Sequence, residues 1–162
     1  MKYEHLVVIN DADTPALLQL SPEQVWYGLL HRAEDPRPFL PGLESCTLRA
    51  REGNVLRRTL HFPGIDIDDE VHLEEGRAIR ILTRATPQHP GGTLTITIEQ
   101  PAAGVLALRF AYATTLADDS NDPDGAYACF IEAAYHASDI DTVRVIRELA
   151  RADSDADCAP LN

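Results

Sequence analysis

The chain has little of what marks several common protein classes. Its three cysteines, Cys46, Cys129 and Cys158, are widely spaced and include no C-x-x-C pair, which excludes a disulfide framework and a zinc ribbon and suits a reducing cytoplasm. Basic residues are scarce, with 14 Lys and Arg against 26 Asp and Glu, for a formal net charge of −12. No basic run exceeds two residues, so nothing offers an electrostatic grip on a phosphate backbone or on anionic lipid headgroups. Nucleic acid and membrane surfaces are therefore not expected partners. Long apolar runs are missing too: the opening MKYEHLVVIN holds four consecutive apolar positions, too few for a signal-peptide core or a membrane span. The expectation is a soluble, cytoplasmic protein.

Catalytic signatures are equally sparse. There is no G-x-S-x-G, G-x-G-x-x-G, P-loop or H-E-x-x-H, and His5, His31, His61, His72, His89 and His136 show no metal-ligand spacing. Neither a metal nor a cofactor is implied. Cys46 and Cys129 read as small buried hydrophobes, since a nucleophile needs a neighbouring base that the sequence does not place.

What is present is pattern. A chain of 162 residues fits one domain, which at that size buries roughly 70% of its unfolded surface. Tyr3 to Ile9 reads as a strand closed by Asn10, Asp11, Asp13 and Pro15. Ser21-Pro22-Glu23-Gln24 is a capping box with proline at the first helical position. It predicts a helix to about Arg32 with an apolar stripe of Val25, Trp26, Leu29, Leu30 and Ala33. Pro36, Pro38 and Pro41 break that helix, leaving room for a short second turn through Phe39 and Leu40. From Glu44 to Leu116 the period becomes two, and turn residues cut the run into a meander of six strands. A long helical pattern from Pro123 follows, about 27 residues or roughly 40 Å at 1.5 Å per residue. The acidic tail ADSDADCAPLN, from residue 152 onward, reads as disordered.

The stretch LRRTLHFPGIDIDDEVHL, Leu56 to Leu73, poses the central puzzle. A hairpin turning at Pro63-Gly64 pairs Leu60 with Ile67, Leu56 with Val71 and Arg58 with Asp69, which points a charge pair at the apolar face. A second hairpin at Glu74-Glu75-Gly76 is expected to set Val71 opposite Ile79 and Asp69 opposite Ile81. A lone charge in an apolar interior is very costly. Arg58 and Asp69 are thus either a cross-strand ion pair at a pocket edge, or a site in which the guanidinium binds a carboxylate, enolate or phenolate while Asp69 orients it or acts as base. Tyr112, Tyr127, Tyr135, Trp26, Phe110, Phe130 and Ile131 lie on apolar stripes, and serve either as pocket walls or as ordinary core. Phe39, Leu40 and Leu43 form a lid or a plain connecting loop.

The order of strand, broken helix pair, meander and long C-terminal helix resembles the helix-grip fold of the START and Bet v 1-like superfamily. More specifically, VWYGLLHRAEDPRPFLPGLESCTL (Val25 to Leu48), VLRRTLHF (Val55 to Phe62) and TVRVIRELA (Thr142 to Ala150) resemble AtaL-like members of that superfamily, over nearly the whole chain except the tail. The resemblance implies an α+β fold, a seven-stranded bent antiparallel sheet around the C-terminal helix, with a single domain over residues 1–151 and a hydrophobic pocket. For the founding fungal member it also implies a link to a secondary-metabolite gene cluster, but no settled activity and no catalytic residues. Three functions follow as expectations: binding of a small hydrophobic anion, with Arg58, Asp69, Tyr112, Trp26, Phe110, Tyr127, Phe130 and Ile131 as ligand contacts; a cyclase or isomerase acting on a polyketide-like or aromatic substrate; or a co-chaperone-like interaction module using the exposed sheet face. The sequence leaves the oligomeric state open.

Overall fold

The computed structural model describes residues 1–11, 13, 18–114 and 126–157. Strand β1 (Lys2–Asn10) leads to helix α1 (Pro22–Glu34), then to β2 (Ser45–Glu52), β3 (Val55–Phe62), β4 (Ile65–Glu74), β5 (Ala78–Thr83), β6 (Gly92–Ala102) and β7 (Val105–Thr114), and finally to helix α2 (Ala126–Asp157). The strands form one seven-stranded antiparallel sheet in the order β1-β7-β6-β5-β4-β3-β2. The meander is thus completed by β1 on the free edge of β7, which is the α+β helix-grip arrangement with its C-terminal helix.

Local chemistry sets the elements. The Ser21 hydroxyl accepts from the Gln24 N–H at 3.1 Å and the Gln24 side chain accepts from the Ser21 N–H at 2.8 Å, the reciprocal bonds of a capping box. At the β3–β4 turn, Pro63 fixes its own φ and Gly64 supplies the positive one, 76°, as a type II turn requires. That two-residue loop sets Leu60 against Ile67, Leu56 against Val71 and Arg58 against Asp69, the expected register.

The next hairpin departs from expectation. Its loop is Glu75-Gly76-Arg77, closed by the Arg77 N–H donating to the Glu74 carbonyl at 3.0 Å, so Val71 faces Ile81 and Asp69 faces Thr83. The slip is two residues, which leaves every side chain on its original face; apolar matching alone could not detect it.

The segment after α1 keeps the short turn expected through Phe39 and Leu40, whose N–H groups both donate to the Pro36 carbonyl at 2.9 and 3.1 Å, but it is not the second helix of a broken pair. The prolines lack the donors a further helical turn would need. At the other end, α2 continues to Asp157, six residues into the segment expected to be disordered; no glycine or proline interrupts it before Pro160. The expected start at Pro123 lies outside the described residues.

One sheet face and one stripe of each helix make the core. Leu56, Val71, Ile79, Ile96, Leu108 and Phe110 from the sheet are fully buried, against Val25, Leu29 and Ala33 of α1 and Val143, Ile146 and Ala150 of α2. The helices meet closely at Gly28, where an added Cβ would lie 2.7 Å from Ile146 Cγ1. Among the described residues no helix is long and apolar enough to cross a membrane.

Candidate functional site

The alternation of β3 that buries Leu56 and Leu60 also buries Arg58, and β4 buries Asp69 opposite; their side chains are 1% and 2% exposed. The pair is bidentate, with Arg58 Nε donating to Asp69 Oδ1 at 2.8 Å and Nη2 to Oδ2 at 2.6 Å. Arg58 Nη1 donates to the carbonyls of Arg32 at 3.2 Å and Ala33 at 2.9 Å. Those carbonyls belong to the last turn of α1, where a helix runs out of intrahelical partners and favours a cation. Four of the guanidinium's five N–H donors are therefore committed inside the protein. The pair that looked out of place in the sequence is a strap from the sheet to the end of α1.

The neighbouring arginine carries an unpartnered donor. Arg32 is 5% exposed, and its Nε is a buried donor with no hydrogen-bond partner. Burial, and then the charge of Arg58, pull its guanidinium below the usual range, opposed by Tyr112, Asp139 and Asp69. An arginine keeps its proton even so.

Arg32 borders a cavity of about 270 Å³ between the sheet and α2, with Leu60, Ile67, Ile81 and Leu94 as its aliphatic wall and Arg58, Asp69 and Tyr112 on its polar side. Leu40, from the segment after α1, and His89 and Pro90, from the β5–β6 connection, also line it. Among the described residues, three buried side-chain polar atoms lack a partner: Arg32 Nε, His89 Nδ1 and Thr114 Oγ1. All three residues line this cavity. Buried polar groups are normally satisfied, so the sharing of one cavity wall by the three residues that carry these atoms singles it out. A depression of about 710 Å³ on the other face of the sheet is larger, but it is bordered by Arg49, Arg57, Arg84, Asp68 and Glu70, the solvated residues of the outward register.

A second polar group lies on the α2 side. Asp139, 1% exposed, accepts from the Tyr112 hydroxyl through Oδ1 at 2.5 Å and from His5 Nε2 through Oδ2 at 2.5 Å. The other His5 nitrogen, Nδ1, is 3.1 Å from Nδ1 of His136, which is exposed. Burial raises the Asp139 carboxyl above the ordinary range, against the hydrogen bonds from Tyr112 and His5 that lower it. Burial, followed by the Asp139 charge, pushes the Tyr112 phenol up strongly, which keeps it a donor. The Tyr135 ring stacks on Tyr112 at 4.0 Å with 6° between planes and also lines the cavity.

Of the residues singled out from the sequence, Arg58, Asp69 and Tyr112 meet at the cavity. Trp26 packs half-buried against the core, and Phe110 is fully buried within it, its ring 5.6 Å from that of His5. Phe130 is 69% exposed because it falls off the stripe that Tyr135, Asp139, Thr142 and Ile146 trace along α2. Ile131 is half-buried and is not part of the cavity wall, and the Tyr127 side chain lies outside the described residues. Cys46 is half-buried and Cys129 is exposed, rather than both buried. Among the described residues no cluster of His, Cys, Asp or Glu could hold a metal ion.

The residues that the sequence did not single out left traces in it. Arg32 lies seven residues after Val25 and three after Leu29, on the stripe that is buried. His5 alternates with Tyr3, Val7 and Ile9 along β1. Asp139 stands four residues after Tyr135 and seven before Ile146. Each occupies a core position in a helical or strand period.

A sheet gripping a C-terminal helix over a partly polar cavity defines the helix-grip class of ligand-binding folds. The family described as AtaL, acetylaranotin biosynthesis cluster protein L, matches residues 7–153, and the chain belongs to it. No curated protein sequence matches significantly. Among solved structures, the chain is similar to the Zhui aromatase/cyclase from Streptomyces sp. R1128, at 17% identity over 93% of each chain with a TM-score of 0.59. It is also similar to the di-domain aromatase/cyclase StfQ of the steffimycin pathway, at 12% identity over 95% of this chain and 52% of that one with a TM-score of 0.68. The Aha1 dimer from Colwellia psychrerythraea matches at 11% identity over 91% and 96%, with a TM-score of 0.60. At these identities the likeness is one of fold.

Proposed function

We propose that the protein binds a small, largely hydrophobic anion in the cavity between the sheet and α2, with Arg32 as its charge partner. The observation that carries this reading is that the three residues with an unpartnered buried polar atom, one of them a cation, all line a single aliphatic-walled space. A carboxylate, phenolate or enolate oxygen would satisfy Arg32, and further polar atoms of the ligand would meet His89 and Thr114. Arg58 and Asp69 then act indirectly, by fixing the end of α1 from which Arg32 projects. The volume of about 270 Å³ sits just under the roughly 300–1,000 Å³ of drug-sized sites. A cavity of about 150 Å³ accommodates benzene, so the ligand class is one or two fused rings.

The test is calorimetric titration of 2-naphthoate into the wild-type protein and the Arg32→Met variant. A charge-assisted hydrogen bond contributes about 1.5–3 kcal/mol, which corresponds to a loss of about 10- to 150-fold in affinity. Equal affinity in the two proteins would refute Arg32 as the anchor. A cyclase or isomerase activity is the second reading, favoured by the Tyr112–Asp139–His5 group beside the cavity and in keeping with the aromatase/cyclases among the structural neighbours.

A further inference from the structure

Resting on that reading of the cavity, we propose that Tyr112 and Asp139, the latter held by His5, form a proton relay that ionises a phenolic or enolic hydroxyl of the ligand held against Arg32. Three elements built far apart in sequence supply it: Tyr112 from β7, His5 from β1 and Asp139 from α2. Tyr112 is the member that lines the cavity. Its hydroxyl already points its proton at Asp139, so the lone pairs of the phenol oxygen are what it has left to offer a ligand. Asp139 has both carboxylate oxygens occupied by donors and almost no contact with water.

The ligand O–H bond breaks and its electron pair stays on the ligand oxygen. The proton bonds to the Tyr112 oxygen while the former Tyr112 proton bonds to Asp139 Oδ1. The ligand becomes a phenolate or enolate beside the Arg32 guanidinium, and Asp139 becomes neutral. Negative charge thus moves from a carboxylate to a ligand oxygen without any proton leaving the protein. The carboxylic acid is reset when the proton returns by the reverse path, from Asp139 Oδ1 to the Tyr112 oxygen while the proton on that oxygen goes to the product; the His5 N–H holds Asp139 Oδ2 throughout. The substrate class this serves is a small aromatic or polyketide-like molecule whose ring closure, isomerisation or dehydration proceeds through an enolate. Tyr112 is the catalytic residue here, Asp139 takes up the relayed proton, and His5 is a positioning residue.

The groups that face Asp139 are Tyr112 on β7, His5 and Tyr3 on β1 and Arg32 on α1, with His136 on α2 itself and Glu132 acting on Tyr3. A pH titration must be read against all of them, so the test uses the ionisation state of a probe. 4-Nitrophenol, whose anion absorbs in the visible, is titrated with wild-type protein, Tyr112→Phe, Asp139→Asn and Arg32→Met across a pH series. Calorimetry in buffers of different ionisation enthalpy counts the protons released. The wild-type protein is expected to bind the probe as phenolate at a pH where the free probe is neutral, with its apparent ionisation constant raised about tenfold or more and little proton release. Asp139→Asn and Tyr112→Phe are expected to bind it as the neutral phenol, or to release a proton for each phenolate bound. Tyr112→Phe only deletes a hydroxyl, and carries the test if Asp139→Asn does not fold by circular dichroism.

Binding of neutral phenol by the wild-type protein overturns the relay while leaving the cavity reading in place. Identical phenolate bands and proton counts in folded variants and wild type overturn it as well. Equal binding by Arg32→Met removes the anchor, yet loss of the phenolate band in Asp139→Asn would still uphold the relay. A probe that does not bind the wild-type protein overturns both.

Discussion

Removing Arg58 should be far more damaging than removing it together with its partner. Arg58→Met leaves the Asp69 carboxylate buried and unpaired, a situation that costs about 3–5 kcal/mol. It also strips the donor from the carbonyls of Arg32 and Ala33, each a buried acceptor worth about 1–3 kcal/mol when orphaned. The single variant is thus expected to lose about 5–11 kcal/mol, much of the roughly 5–15 kcal/mol that holds a domain together. Asp69→Leu strands the guanidinium but leaves the helix-end bonds, for about 3–5 kcal/mol. In the double variant neither charge is stranded and only the two carbonyls are affected, so the loss falls back to about 2–6 kcal/mol. Urea unfolding followed by circular dichroism measures all four proteins, with midpoints compared only where the slopes agree. If the double variant is no more stable than Arg58→Met, the pair is not a coupled buried strap and the reasoning fails.

Other consequences are as open to measurement. Gly28→Ala drives a methyl against Ile146 at about 1–3 kcal/mol of overpacking, offset by about 1 kcal/mol of helix propensity; in an Ile146→Ala background the same substitution should become stabilising, and a clash in both backgrounds would contradict the packing described. Because burial raises the Asp139 carboxyl in the folded state, its contribution to stability is complete below the unfolded value of about 3.9 and is lost as pH rises through the folded value. Asp139→Asn lacks that titration. Its stability relative to wild type, from urea midpoints at several pH values, should therefore improve from about pH 4 upward, and a difference that does not vary with pH would refute the raised carboxyl.

How much of this was legible in the sequence depends on range. Pro63-Gly64 defines a two-residue turn, and the turn defines the β3–β4 register, so the Arg58–Asp69 encounter could be deduced from eleven neighbouring positions. The β4–β5 register could not, because a two-residue slip conserves the apolar face and Gly76 suits either loop placement. Arg32 went unnoticed because Trp26 and Leu30 made a more hydrophobic stripe than the Gly28 and Arg32 face that is actually buried. The tight approach of Ile146 to Gly28 decides that rotation of α1, and no local pattern contains it. The His5–Asp139 contact joins residues 134 positions apart. Periodicity places each of them on an inner face, but which inward groups touch depends on how α2 lies across the sheet.

The bond from Arg58 to the Arg32 carbonyl places two arginines in series, one holding the backbone from which the other reaches. Immobilising a long side chain on binding ordinarily costs affinity; here the root of that side chain is already fixed when the chain folds, by a group that need never touch a ligand. Grip on an anion should therefore track the integrity of a salt bridge one strand away. A population of molecules with that bridge loosened would keep the aliphatic wall of the cavity, yet on the proposed reading would bind as though the anchor had been shortened.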